Sequence, residues 1–82
     1  MRFLVTMNMP SYSGNLVHQM IVDHNANSLE EFTAILKEED FIIVEEMYKN
    51  PNDGSYYSRG DILLNHQYIG KVKVFNNTIK IA

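Results

Sequence analysis

Residues 28–44 read Ser28-Leu29-Glu30-Glu31-Phe32-Thr33-Ala34-Ile35-Leu36-Lys37-Glu38-Glu39-Asp40-Phe41-Ile42-Ile43-Val44, and this stretch decides the fold class. Leu29, Phe32, Ile35 and Leu36 recur at steps of three and four, which puts them in one apolar stripe on a helix. Ser28, followed three residues later by Glu31, forms a capping box and starts that helix. Glu30 and Glu31 sit in its first turn, where negative charge suits the helix dipole. The helix is expected to end near Glu38. The period then changes. Asp40 to Tyr48 reads as a strand, and its run Phe41-Ile42-Ile43-Val44 is expected to be buried on both faces at one end.

Upstream, Phe3, Val5, Met7 and Met9 alternate with Leu4, Thr6 and Asn8, so the first strand runs to about Met9. Pro10-Ser11-Tyr12-Ser13-Gly14-Asn15 is a turn cluster, and a second strand from about Leu16 to Asp23 completes a hairpin. Downstream, Asn50-Pro51-Asn52-Asp53-Gly54 is a turn and Ser55 to Arg59 a short aromatic strand. Gly60 marks a bulge or bend, which is also the plain reading of Arg59-Gly60-Asp61. Asp61 to Leu64, Gln67 to Phe75 and Thr78 to Ala82 then form a meander with tight turns at Asn65-His66 and Asn76-Asn77. With the segments on either side of Gly60 counted as one strand, the order is β-β-α-β-β-β-β. It predicts an α+β domain spanning residues 1–82: a curved antiparallel sheet with one helix packed on one face.

Composition agrees with a single domain. The chain has 82 residues, 45% of them hydrophobic and 21% charged, and a net charge of −3. Zero cysteine excludes disulfides, thiolate metal sites and cysteine nucleophiles. The longest apolar run is far short of the ~20 residues that span a bilayer, and the one helix is acidic, so no membrane role is expected. The N-terminal segment alternates instead of forming a signal-peptide core, which points to the cytoplasm. Nine asparagines fall mostly where turns are expected. Asn-rich small chains are also associated with A/T-rich genomes, phage and mobile elements among them.

Catalytic and metal chemistry find little support. His18 and His24 lie six residues apart, about 20 Å in an extended strand at about 3.3 Å per residue, and His66 sits in a turn. No spacing of histidines and carboxylates matches a metal site, and no nucleophile elbow or glycine-rich phosphate loop is present. The expectation is no enzyme, no cofactor and no metal.

The meander carries the surface signals. A two-residue loop at Asn76-Asn77 pairs Lys73 with Lys80 and sets Lys71, Lys73 and Lys80 on one face, opposite Val72, Val74, Ile79 and Ile81. Like charges facing each other are mildly destabilising, so an anion is expected nearby. Three sources fit: Glu45 or Glu46 of the protein itself, an external anion, or plain solvation of an edge. A loop at Asn65-His66 would pair Ile62 with Ile69 on the lysine face. Either the sheet curls into a small barrel that buries them, or they form a self- or partner-association patch. Dimerisation stays open at this length.

Charge is divided along the chain. Residues 1–48 carry two basic and eight acidic side chains, a balance of −6, and residues 49–82 carry five and two, a balance of +3. Together these readings predict a small non-enzymatic protein-interaction module, of the kind found among accessory or inhibitory proteins of phage and mobile elements. Its expected partner-binding residues are Tyr57, Ile62, Ile69, Lys71, Lys73 and Phe75. The alternative is a nucleic-acid-binding regulator that uses Lys71, Lys73, Lys80 and Tyr57, against which the acidic pI of about 5.4 counts.

Overall fold

The structure, a computed structural model, describes residues 1–76. Its elements are β1 (Arg2–Ser11), β2 (Gly14–Asp23), α1 (Leu29–Glu38), β3 (Phe41–Lys49), β4 (Tyr56–Asn65), a 3-10 turn (His66–Tyr68) and β5 (Ile69–Val74). The five strands form one antiparallel sheet in the order β4-β3-β2-β1-β5. The expected closing strand 78–82, and Lys80 with it, lie outside the described residues.

The local signals act as their chemistry requires. The Glu31 N–H donates to Ser28 Oγ at 3.1 Å, and the Glu31 carboxylate accepts from the Asn27 N–H at 3.0 Å. β1 and β2 run further than expected, to a two-residue loop at Tyr12-Ser13, and Gly14 follows it with φ +117°. In the β3–β4 turn, Asp53 Oδ1 accepts from the Ser55 N–H at 2.8 Å and the Ser55 hydroxyl at 2.7 Å.

One face of the sheet carries the core. Phe3, Val5 and Met7 of β1, Val22 of β2, Ile42 and Val44 of β3 and Leu64 of β4 are buried together with Ala26 and Phe32. Phe32 ties α1 to the sheet: its ring stacks on Phe3 with centroids 4.2 Å apart and planes within 8°. Complete burial of such a side chain contributes roughly 1.5–3 kcal/mol. Leu29, Ile35 and Leu36 are half-buried against the same cluster.

The second half of the chain departs from expectation. Asn65-His66 is not a hairpin loop. Asn65 caps the 3-10 turn, its side chain accepting from the Gln67 N–H at 3.1 Å, and β5 leaves β4 to pair with β1. Ile62 therefore lies opposite Val44, and Ile69 opposite Met7, instead of opposite each other. Between Lys71 and Ile69, β5 advances two residues while β1 advances one. The extra residue, Gly70, turns Ile69 away from the lysine face and into the core.

Among the described residues the sheet does not close into a barrel, since β4 and β5 form no ladder. It is strongly twisted instead. With every neighbour antiparallel, β4 and β5 run in the same direction, so the end of β4 and the start of β5 are diagonal corners. Flat, the two edges would stand ~19 Å apart across four strand spacings. The link from Asn65 to Ile69 reaches at most ~14 Å. Right-handed twist brings that pair of corners together over the core face. The other diagonal closes over the opposite face, where the Tyr56 ring meets Phe75 edge-on at 5.5 Å and Arg2 lies 5.6 Å from the Tyr56 centroid. Met47 is buried on that face.

The Asp53 carboxyl is held below the ordinary aspartate range, first by the Ser55 hydroxyl and then by the Ser55 N–H. A folded-state value below the unfolded one adds stability at neutral pH that is lost as pH falls through the folded value. In an NMR carboxyl titration, Asp53 is expected to titrate below a typical aspartate and to move up in Ser55→Ala. An unchanged midpoint in the variant contradicts this assignment.

Candidate interaction surface

The β3–β4 hairpin has two faces of opposite character at its open end. Ile42, Val44 and Leu64 point into the core. Phe41, Ile43 and Leu63 alternate with them and point the other way, at 54%, 64% and 62% exposure. Ile43 lies directly opposite Leu63, and Phe41 follows on the same face. The expectation that Phe41-Ile42-Ile43-Val44 would be buried on both faces is therefore corrected. β2 meets β3 only along Glu45–Met47, and beyond Asp23 the chain leaves the sheet toward α1. Residues 41–44 are left with β4 as their strand neighbour, and among the described residues nothing buries their second face.

Next to the apolar group lies a row of charge across four strands: Arg2 opposite Asp23, Asp23 opposite Glu45, Glu45 opposite Asp61. Asp23 is neutralised by Arg2 Nε at 3.8 Å and by the amino group of Met1 at 3.6 Å. Glu45 and Asp61 have no cation within ion-pair distance among the described residues. Two carboxylates directly opposite each other cost a few tenths to about 1 kcal/mol. An open depression of about 300 Å³ runs beside them, lined by Asp23, His24, Ile43, Glu45 and Asp61. Carboxylates beside exposed aliphatic carbon suit a ligand that presents both positive charge and apolar surface.

The residues singled out from sequence are dispersed. Ile62 and Ile69 are half-buried against the core cluster. Phe75 is half-buried in the Tyr56 contact. Lys71 and Lys73 are exposed on β5, opposite Thr6 and Leu4. β5 lies next to β1, not β3, so Glu45 and Glu46 are not the neighbours of these lysines, and no described carboxylate is within ion-pair distance of either. Tyr57 is exposed on β4 opposite Tyr48, their rings 6.4 Å apart, with Arg59 stacked 4.4 Å over Tyr48. The Lys73 row continues through Leu4 and Ile21 to Met47, so Tyr48 and Tyr57, one step along, point to the opposite face. The structure does not gather Tyr57, Lys71 and Lys73 on one surface.

Two of the three histidines serve local structure. His24 Nδ1 accepts from the Ala26 N–H at 3.0 Å, and His66 Nδ1 lies 3.0 Å from the Glu39 carbonyl. Among the described residues no three histidines or carboxylates are grouped to hold a metal ion, and no helix is long and apolar enough to cross a membrane. Comparison with protein-family models, curated proteins and solved structures found no match.

Replacing one carboxylate of the opposed pair tests whether it serves the fold. Asp61→Asn is expected to leave stability unchanged or raise it by up to about 1 kcal/mol in denaturant titration. A loss of more than about 1 kcal/mol would show that Asp61 has a stabilising partner within the chain.

Proposed function

We propose that this chain is a non-enzymatic protein-interaction module, working in the cytoplasm, that binds another protein through the Phe41–Ile43–Leu63 face of the β3–β4 hairpin. The observation that carries the reading is the contiguity of these exposed apolar side chains on a face that no described residue covers. Apolar groups beside charged ones are the anatomy of a contact surface, and scattered single exposures are not. The opposed carboxylates Glu45 and Asp61 support it, because they weaken the isolated fold and become favourable beside a cation. The half-buried positions of Ile62 and Ile69 shift the contact away from the residues expected from sequence.

The test compares the wild-type chain with an Ile43→Lys, Leu63→Lys variant as immobilised baits, in lysate of the source or its host, with nuclease present. The substituted side chains project from the surface, so melting temperatures of the two are expected to agree closely. A protein retained by the wild type and lost by the variant supports the reading. Retention unchanged by the double substitution contradicts it.

A further inference from the structure

We infer that the outer edge of β4, along Asp61–Asn65, accepts a strand from the partner, and that this strand carries a lysine or arginine two residues from an aliphatic side chain. The inference rests on the contact-surface reading above and adds the geometry and chemistry of the partner.

β4 is an edge strand, and among the described residues its only strand neighbour is β3. From Asp61 to Asn65 its register with β3 is regular, residue for residue, down to Phe41. The bulge at Arg59-Gly60, with Gly60 at φ +100°, ends that regular stretch. A regular open edge presents unpaired N–H and C=O groups that a further strand can satisfy, with side-chain contacts on alternate positions setting specificity. On the open face the alternate positions are Asp61, Leu63 and Asn65.

Charge selects the occupant. An added strand places one side chain beside Asp61 and another, two residues away, beside Leu63. The first meets the carboxylates of Asp61 and Glu45, which have no ion-pair partner among the described residues, and the depression of about 300 Å³ next to them. A basic side chain fits there. The second meets Leu63 and Ile43 and is aliphatic. A second copy joined β4 to β4 would bring its own Asp61 and Glu45 to the same face, two more carboxylates where a base is needed.

The test uses the full chain labelled with nitrogen-15 and a blocked peptide, Thr-Lys-Thr-Ile-Thr-Lys-Thr, whose basic-apolar-basic pattern reads the same in either strand direction. A second peptide has Glu in place of Lys. NMR detects the roughly millimolar binding expected of so short a strand. The expected result is shift changes centred on residues 61–65 and 41–45, with hydrogen exchange of the outward amides of β4 slowed at least severalfold. Binding is expected to weaken severalfold when salt is raised from about 0.05 M to about 0.5 M, and Asp61→Lys is expected to switch the preference to the Glu peptide.

Binding at Phe41, Ile43 and Leu63 that leaves β4 amide exchange unchanged overturns strand addition and keeps the surface reading. Equal affinity for the two peptides overturns the charge assignment. Absence of binding to either overturns the inference, and the surface reading is then judged by the Ile43→Lys, Leu63→Lys comparison alone. Outward amides already protected without peptide, with a mass that rises with concentration, would make a second copy the occupant and overturn it as well.

Discussion

Three residues connect the last residue of β4 to the first residue of β5, and the two strands stand at opposite edges of the sheet. That short link is the constraint on which the architecture depends. It can be met only if the sheet twists until its diagonal corners approach. One diagonal encloses the core over Phe3, Val5, Met7 and Phe32, and the other folds Tyr56 onto Phe75 across the opposite face. Among the described residues, twist covers one end of that second face and leaves the other bare. Phe41, Ile43 and Leu63 occupy the bare end.

The exposed group is therefore a consequence of where β2 stops as much as of which residues stand in β3. Had β2 continued past Asp23, it would have run beside Ile43 and Phe41. The chain turns instead through His24–Asn27 into α1, whose Phe32 completes the core on the far side. The acidic row sits at the boundary between the covered and the open part. Arg2 balances Asp23 there, and Glu45 and Asp61 are left to face each other. Natural sequences tend to retain such locally unfavourable pairs where function uses them. The acidic balance of residues 1–48 noticed in the sequence thus has one structural focus in this row.

Local features were legible in the sequence because their causes are local. The capping box at Ser28 and Glu31, the helical stripe through Phe32, the first hairpin and the irregularity at Gly60 all follow from neighbouring residues. The strand order was not legible. Asn65-His66 looks like a turn whether the next strand folds back on β4 or crosses to β1, because the choice is made by pairing distant in sequence. Gly70 reverses the facing of Ile69 through a bulge that alternation alone does not reveal. The run Phe41-Ile42-Ile43-Val44 misled for a related reason. A continuous apolar run suits a strand buried on both faces, and equally a strand with one face in the core and one held open for a partner. The fold class could be read, and the exposed apolar group could not, since it depends on the end of a neighbouring strand.

The most direct test of this account is residue-by-residue amide hydrogen exchange on the free protein at low concentration. The account predicts alternation along Asp61–Asn65, with amides turned toward β3 protected and the intervening ones exchanging as freely as those of an open loop. Uniform protection across all five residues would contradict it, because the outer edge of β4 would then already be covered and not open to a partner's strand.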